Sequence, residues 1–320
     1  MAALHSDLPA ENYQECFVRD FVPNALVFLL DGEFAIVLNF LRTVLLLTEQ
    51  QHRVAGHDIV PGVMPVSFKV AERSSGKAEV VSDFGDRAIG RVAPVDSIMW
   101  WVGLLKRYVQ QSGDVALARE PIFQHGLREI LDLFLKDTFE IFPTLLTPDG
   151  CFMIDRRMGV YGHPLEVQAL FYEMLRCMPL LLAPNDENKH ALALAKKRAG
   201  VLREYVRNYY WLDLKRLNEI HRYKTEEFGH DITNLLNIFP ESIPAWIADW
   251  LPDEGGYLAG NIGPGRLDFR FFALGNLFAV LLNVASAEQS KRIFDLLSHK
   301  LLQDPCRIEG IFEEEEERQV

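Results

Sequence analysis

The sequence predicts an all-α protein in which helix pairs stack in a ring or a solenoid. About seven segments carry the apolar spacing of amphipathic helices. Strands and helices do not alternate along the chain, which argues against a parallel sheet. The chain has 320 residues, of which 49% are hydrophobic and 24% charged. That length supports a substantial core, and that composition excludes a disordered protein, a collagen-like fibre and a small disulfide scaffold.

Apolar stripes and end signals place the helices in chain order. The first apolar stretch contains Asp31-Gly32, which marks either a break or the start of a second helix. Asp96 is a suitable N-cap for a helix whose apolar stripe includes Trp101, and Ser112-Gly113-Asp114 ends that helix. The predicted helices are Ala25 to Leu47, the helix that opens at Asp96-Ser97, Pro121 to Lys136, Leu165 to Leu182, His190 to Tyr210, Leu267 to Val284 and Glu288 to Leu302.

The segments between the helices are long, and polar and aromatic residues concentrate in them. Gly56 to Asp86 is predicted as extended chain, within which Val63 to Val70 fits a strand. Pro143 to His163 and Trp211 to Arg266 carry no clear helical period. Structureless loops beyond about 15 residues are uncommon unless they are functional. The pattern therefore predicts a helical scaffold that presents a site on its loops.

Charge and cysteine usage limit the partners and the compartment. The 33 Lys and Arg against 45 Asp and Glu argue against nucleic acid, although part of the acidic excess lies in the segment from Gln303 onward. The four cysteines lack C-x-x-C spacing, which predicts neither a zinc site nor a dithiol redox centre and suits a reducing compartment. Neither a signal peptide nor a membrane span is visible, so we expect a cytoplasmic protein with no membrane partner.

Carboxylates among Arg, His and aromatic residues are the most informative chemistry of the loops. The chain has no P-loop, G-x-G-x-x-G, H-E-x-x-H or G-x-S-x-G motif. Carbohydrate sites have this composition, because sugar faces stack on aromatic rings and sugar hydroxyls bond to Asp, Arg and His. Glycoside cleavage in addition uses two carboxyl groups.

Two clusters early in the chain supply candidate site residues. Arg19 and Asp20 lie inside an apolar stretch and form either an ion pair at a helix start or part of a site. Asp96 is explained by capping alone or belongs to a site. Trp100 lies off the core stripe that Trp101 joins, so it is a candidate to line a site.

The run from Asp149 to Gln168 is the densest of these clusters. It places Asp155, Arg156 and His163, with Arg157, Tyr161 and Glu166, just before a predicted helix. The apolar residues that precede Asp155 would raise the pKa of its carboxyl group by desolvation, as a general acid requires. The alternative is a surface loop whose arginines and aspartates pair with each other.

Two later clusters are open to two interpretations each. His221 to Glu227, which contains Arg222 and Tyr223, is either a solvated charged stretch or part of a site. Arg270 lies two residues after Asp268 at an apolar helix start, and buried charges need partners. Arg270 is therefore either half of a core ion pair or a site residue.

Seven segments taken together resemble the alkaline/neutral invertases, the cytosolic glycoside hydrolase family 100 of plants and cyanobacteria. They follow the family's order from about Asn12 to Lys300, and the MIDRRMGVYGHPLE run is the most specific of them. The segments are NYQECFVRDFVPNAL, GVMPVSFKV, DFGDRAIGRVAPVDSIMWW, PTLLTPDGCFMIDRRMGVYGHPLEVQALFY, IHRYKTEEFG, ESIPAWI and GNIGPGRLDFRFFALGN.

The resemblance implies an (α/α)6 barrel that hydrolyses sucrose to glucose and fructose with inversion at the glucosyl carbon. It implies no metal or organic cofactor, and it leaves a homo-oligomer open. The general acid of the family is the aspartate of the IDRR run, which is Asp155 here, and inversion requires a second carboxylate as base. By position and type, the expected sugar-binding residues are Arg19, Asp20, Asp96, Trp100, Arg156, His163, Gln168, Arg222, Tyr223 and Arg270.

The sequence also departs from the family pattern toward its end. The family's Tyr-His-Asn-Gly-Gly run and its Asn-Trp-Pro-Glu-Tyr-like run, which supplies the base, do not occur here. We therefore expect residues 1–302 to form an incomplete (α/α)6 catalytic domain and residues 303–320 to be a disordered acidic tail outside the family. Two hypotheses follow, an invertase-type glycosidase and an inactive fragment or pseudoenzyme without its base. Terpene cyclisation or prenyl transfer has no support, because no D-D-x-x-D motif is present.

Overall fold

The computed structural model of the protein describes residues 15–48, 53–54, 57–72, 78–85, 95–136, 143–147, 161–222, 238–263 and 266–301. Contacts between residues divide the chain into two compact units. The first unit comprises Met1–Tyr161 and Leu170–Leu202, and the second comprises Gly162–Ala169 and Arg203–Val320.

Helices dominate the first unit. Pro121 begins one of them, at a position where its missing N–H has no helical partner to lose, and Gly113 ends another with a φ of 73°. The helices are α1 (Val18–Leu30), α2 (Phe34–Thr48), α3 (Ser97–Ser112), α4 (Val115–Ala118), α5 (Pro121–Phe134), α6 (Leu165–Leu181, from Leu170 in this unit) and α7 (Asp186–Tyr205, to Leu202 in this unit).

The core of the first unit forms where the apolar faces of these helices meet. Trp101 of α3 is fully buried, and its ring stacks on Phe123 of α5 with the centroids 6.2 Å apart. Its indole nitrogen donates to the carbonyl oxygen of Leu41 at 3.2 Å, which satisfies the polar atom that comes with the ring. A Cβ on Gly126 would lie 2.4 Å from Leu45 Cδ1, so glycine allows α5 to approach α2 closely.

A three-stranded antiparallel sheet leads into α1. The Val18 N–H donates to the carbonyl of Val66 at 2.9 Å, and the Val66 N–H donates to the carbonyl of Asp83 at 2.8 Å. These bonds tie the start of α1 to the sheet. The strands of this unit are β1 (Cys16–Phe17), β2 (Arg53–Val54), β3 (His57–Asp58), β4 (Ser67–Glu72) and β5 (Ala78–Asp83). The sheet has the strand order β1-β4-β5, while β2 and β3 pair separately.

The second unit mixes short strands with helices. The strands form a sheet of order β10-β9-β6 and a separate β7-β8 pair. Its elements are β6 (His163–Pro164), the first turn of α6, a π-helical turn (Val206–Tyr210), β7 (Trp211–Leu212), α8 (Leu214–Arg222), a 3-10 turn (Pro240–Ser242), α9 (Trp246–Trp250), β8 (Tyr257–Leu258), β9 (Asn261–Gly263), β10 (Arg266–Asp268), α10 (Ala273–Leu281), α11 (Ala287–Leu296) and a second π-helical turn (Leu297–Leu301).

The structure is mostly helical, as the sequence predicts, but it also contains short strands, and several predicted boundaries are wrong. The first helix begins at Val18 rather than Ala25, because the apolar face continues upstream through buried Phe21 and Val22. The helix predicted from Leu267 begins at Ala273 instead, because residues 266–268 pair with β9 as a strand. The strand predicted at Val63 to Val70 is observed at Ser67–Glu72, so it begins four residues later and ends two residues later than predicted.

None of the helices in the described parts of the chain is both long and apolar enough to cross a membrane. The predicted tail, residues 303–320, lies outside the described residues.

Candidate functional site

Arg19, Asp20 and Asp96 form a charged cluster in the first unit. Arg19 Nη1 lies 3.3 and 3.4 Å from the two carboxylate oxygens of Asp96, and Arg19 Nε lies 3.3 Å from Asp20 Oδ1. The three side chains come from the first turn of α1 and from the residue before α3. The predicted ion pair at a helix start is therefore confirmed for Arg19 and Asp20, and Asp96 joins it.

Asp96 does not cap α3 with its side chain, so the capping explanation is wrong. Its backbone adopts helical angles (φ −91°, ψ −19°) rather than the extended conformation of a capping residue, and no side-chain bond to the helix is formed. The carboxylate instead accepts hydrogen bonds from Arg19. The Asp96 carboxylate is therefore paired with Arg19 and makes no side-chain hydrogen bond to the start of α3.

Burial sets the electrostatics of this pair. The Asp96 side chain is only 1% exposed, and burial raises its pKa above the usual range although the Arg19 guanidinium opposes the rise. Burial alone would lower the pKa of Arg19, but the carboxylates of Asp96 and Asp20 outweigh it and raise that pKa. Arg19 therefore stays charged, and Asp96 holds a proton more readily than an exposed aspartate does.

Trp100 lies one helical turn after Asp96 on α3. Its backbone N–H donates to the backbone carbonyl of Asp96 at 3.0 Å. The residue is half-buried, whereas Trp101 is fully buried. The prediction that Trp101 joins the core is confirmed, and Trp100 is less buried than Trp101.

His163 lies on the short sheet of the second unit. It pairs with Ile262 in the ladder, is 8% exposed, and its carbonyl accepts a hydrogen bond from the Tyr210 hydroxyl at 2.5 Å. Gly162 precedes it with a φ of 134°, and a Cβ at that position would lie 2.5 Å from the Ile262 carbonyl oxygen. The backbone around His163 is therefore closely specified.

Buried polar side chains continue from His163 into α6. Glu166 and Gln168 are both 0% exposed, and Asn261, which pairs with Pro164 in the ladder, is 7% exposed. Fully buried acids and amides are uncommon outside specific polar networks. This concentration makes the start of α6 a candidate functional region in its own right.

Arg270 forms a two-pronged ion pair with Asp268 at the end of β10. Arg270 Nε lies 2.9 Å from Asp268 Oδ1, and Nη2 lies 2.5 Å from Oδ2. The guanidinium carbon also lies 5.3 Å from the centre of the Phe272 ring. The side chains are 24% and 15% exposed, so the pair is half-buried rather than part of a closed core.

Several predicted site residues fall outside the described part of the chain. Asp155, Arg156 and Tyr223 lie outside the described residues, and Arg222 ends α8 without a described side chain. Among the described residues, no group of three or more His, Cys, Asp or Glu side chains is arranged to hold a metal ion.

Sequence reasoning missed one buried cation, Arg198. It lies in the run Lys196-Lys197-Arg198, which indicates a solvent-facing helix, yet its side chain is 3% exposed and hydrogen-bonded to the backbone. A helical wheel of α7 carries the relevant signal, because Ala195, Arg198, Ala199 and Leu202 fall on one buried face.

Comparisons with known proteins agree on one family. Residues 1–305 match the family described as alkaline and neutral invertase. The chain is 48% identical over 297 residues to alkaline/neutral invertase CINV2 of Arabidopsis thaliana, covering 92% of this chain and 53% of the relative. It is also 48% identical to cytosolic invertase 1 of Oryza sativa subsp. japonica, with the same coverage of 92% and 53%.

Other relatives carry different compartments in their names. Neutral/alkaline invertase 1, mitochondrial, of Oryza sativa subsp. japonica is 49% identical, covering 90% of this chain and 47% of the relative. The chain spans about half the length of the curated relatives it matches.

A solved structure shares the fold at low sequence identity. The rhamnosidase from Klebsiella oxytoca with rhamnose bound is 15% identical and has a TM-score of 0.53, covering 93% of this chain and 48% of that chain. The family match over nearly the whole sequence and the identity to several named invertases lead to one conclusion: the chain belongs to the alkaline and neutral invertase family.

Proposed function

We propose that the protein is an invertase-type glycoside hydrolase that cleaves sucrose into glucose and fructose with inversion at the glucosyl carbon. Family membership over residues 1–305 is the observation that carries the proposal. The relatives it matches are named invertases, and the IDRR run that holds the family's acid is intact at residues 154–157. We propose the cytoplasm as its compartment, in line with the name of the cytosolic relative.

The fold that supports this activity is proposed to be an (α/α)6 barrel, to which residues 1–302 contribute as the catalytic domain. The mostly helical structure and the likeness to the rhamnosidase support the proposal. Residues 303–320 are proposed to be an acidic tail outside that domain.

Asp155 is proposed as the general acid. It would give its proton to the fructosyl oxygen as the glycosidic bond breaks, so that the leaving group departs as a neutral alcohol. A water on the opposite face of the glucosyl ring would attack the anomeric carbon, assisted by a second carboxylate that acts as base. The chemistry consists of proton transfers and one displacement, so it needs no metal or organic cofactor.

The remaining sugar contacts are proposed residue by residue from the resemblance. Arg19, held by Asp20 and Asp96, offers guanidinium donors in a fixed orientation to sugar hydroxyls. Trp100 is half-buried and offers the exposed part of its indole ring as a stacking surface. The other proposed contacts are His163, Gln168, Arg270, Arg156, Arg222 and Tyr223.

Sucrose hydrolysis by the purified chain tests the proposal. Proton NMR should detect β-glucose as the first glucose anomer released, because inversion converts the α-glucosyl linkage of sucrose. Asp155→Asn should reduce turnover by about 10³-fold, within the range that general acid–base groups supply. Asp149→Asn is the matched control, since it removes a carboxylate from the same segment without touching the IDRR run.

Two results would overturn parts of the proposal. Unchanged turnover in Asp155→Asn would remove Asp155 from the role of acid. No turnover by the wild-type chain at any pH would favour the alternative, an inactive fragment or pseudoenzyme.

A further inference from the structure

Two tryptophans of α9 form an aromatic pair in the second unit. Trp246 and Trp250 lie about one helical turn apart, and their ring centroids are 6.1 Å apart at an interplanar angle of 82°. Both residues are half-buried, so part of each side chain remains in contact with solvent. Tryptophans that combine an apolar ring with a wet edge are enriched where proteins bind ligands and partners.

Other aromatic residues of the second unit hold Trp250 in place. Its ring centroid lies 5.2 Å from that of Tyr257, at an interplanar angle of 87°, and 6.0 Å from that of Phe271. Tyr257 is itself 0% exposed, and its hydroxyl donates a hydrogen bond to the carbonyl of Phe269. The tryptophan pair therefore rests on a fixed support, which reduces the entropy that a ligand would lose in ordering it.

The indole nitrogens of the pair are available as hydrogen-bond donors. In the parts of the chain that the structure describes, neither of these two N–H groups has an acceptor. Other indoles differ, because Trp101 donates to the Leu41 carbonyl at 3.2 Å and Trp211 donates to the Asp213 carboxylate at 3.0 Å. The pair thus offers two donors in addition to its ring surfaces.

Exposed carboxylates accompany the two rings. Asp249 lies between the tryptophans in the sequence of α9 and three residues after Trp246, a spacing that makes side chains neighbours on a helix surface. Asp253 and Glu254 follow the helix and are also exposed. Residues 238–258 hold four acids and no Lys or Arg, so these carboxylates have no cation within their own segment. They supply the hydrogen-bond acceptors that the indoles lack.

Ring surfaces, N–H donors and carboxylate acceptors together suit a pyranose sugar. A β-glucopyranosyl ring carries all its substituents in equatorial positions, so its two faces are lined by C–H groups and its hydroxyls surround the rim. The faces can stack on an indole, and the hydroxyls can both accept from an N–H and donate to a carboxylate. An alkylammonium ion would also suit the rings and the acids, but it has no acceptor for the indole N–H groups.

We propose that Trp246, Asp249 and Trp250 form a binding site for a glucopyranosyl ring, here called the α9 platform. The inference goes beyond the proposed function, because it concerns binding and does not depend on the cleavage of sucrose. Its affinity should be in the millimolar range, since a single ring on an open surface buries little area.

Fluorine NMR of the full chain labelled with 5-fluorotryptophan tests the proposal. The chain has five tryptophans, and Trp246→Phe and Trp250→Phe assign the two signals of the α9 platform. Titration with methyl β-D-glucopyranoside should shift both signals along saturable curves with one Kd, and the signal of the fully buried Trp101 should stay in place. D-glucitol, which carries similar hydroxyls on an open chain without a ring face, should cause no saturable shift.

Variants then separate the contributions of the ring and the carboxylate. Trp246→Ala should raise the Kd, measured at the Trp250 signal, by about threefold to tenfold, as expected for the loss of one aromatic contact. Asp249→Asn should raise it by about threefold, because a neutral amide accepts hydrogen bonds more weakly than a carboxylate. Phe294→Ala is the matched control and should leave the Kd unchanged, since Phe294 is 50% exposed on α11 and has no ring partner among the described residues.

Several results would overturn the α9 platform. They are the absence of a saturable shift in the wild type, equal shifts with D-glucitol, and an unchanged Kd in Trp246→Ala. Shifts with tetramethylammonium but not with the glucoside would make it a cation site instead. The wild-type titration decides the question even where Trp246→Ala fails to unfold cooperatively. Sugar binding without sucrose turnover would support the platform and refute the proposed function, and turnover without binding would do the reverse.

Discussion

Removing Arg19 should destabilise the protein far more than neutralising Asp96, although the two residues form one ion pair. Arg19→Met keeps the length of the side chain and leaves the Asp96 carboxylate, which is only 1% exposed, without its main cation. Asp96→Asn keeps the shape of the partner and leaves Arg19 paired with Asp20 at 3.3 Å. The asymmetry follows because only the first change leaves an uncompensated buried charge.

The expected magnitudes follow from that geometry. Breaking a buried pair by removing one partner costs about 3 kcal/mol, and we expect Arg19→Met to reach that value. Asp96→Asn should change the free energy of unfolding by less than about 1 kcal/mol, because it also relieves the burial of a charge. The double variant should then cost about 1 kcal/mol, which corresponds to a coupling of about 2 to 3 kcal/mol.

The pH dependence separates this explanation from simple loss of packing. The folded-state pKa of Asp96 is raised by burial, so the folded protein holds this proton more tightly than the unfolded chain does. The cost of its charge is present above the folded pKa and disappears as the pH falls below it. Without Arg19 that pKa rises further, so the deficit of Arg19→Met should shrink between pH 7.5 and acid pH.

Urea unfolding of the four proteins at two pH values measures all of these quantities. The account is refuted if Asp96→Asn costs as much as Arg19→Met, or if the coupling lies within about 0.5 kcal/mol of zero. A deficit of Arg19→Met that stays constant with pH would also contradict it, since lost packing does not titrate.

Two further predictions concern backbone strain and a buried thiol. Gly162→Ala should lower the free energy of unfolding, measured in urea, by about 3 kcal/mol, because Gly162 has a φ of 134° and a Cβ there would meet the Ile262 oxygen. Gly103→Ala, in the middle of α3 where a Cβ meets no atom, should stabilise the protein slightly. Equal effects of the two changes would contradict this prediction. Burial and the Glu173 carboxylate raise the pKa of Cys177 to about 12, so its thiol should react slowly with iodoacetamide at pH 8. Mass spectrometry should find Cys177 unmodified in the folded protein and modified once urea unfolds the chain. Equal labelling of the folded and unfolded protein would contradict this prediction.

Helical periodicity in the sequence located the long helices because their apolar faces are continuous. The stripe through Trp101 is buried as predicted, and Gly113 ends that helix. The sequence predicts the strand at Ser67–Glu72 too early in the chain. Ser67 and Lys69, which lie on one face of the strand, are polar and pair with Glu15, so this face lacks the apolar alternation that marks a strand. Short strands held by local backbone pairing leave little periodic signal.

The charged residues were harder to assign than the apolar ones. Asp96 precedes a helix and has the residue type of a cap, but a distant residue, Arg19, competes for its carboxylate. Arg198 follows two lysines; the helical wheel of α7 places it on a buried face, but it does not identify the carbonyls of other segments that accept its hydrogen bonds. In both cases the deciding partner lies more than 50 residues away in the sequence, where propensity and spacing carry no information.

We propose that this chain cleaves sucrose with Asp155 as the acid, and an NMR time course of sucrose with wild type and Asp155→Asn tests that proposal. The wild type should release β-glucose and fructose in equal amounts, and the variant should release almost none. Sucrose left intact by the wild type, or cleaved equally by Asp155→Asn, would contradict it.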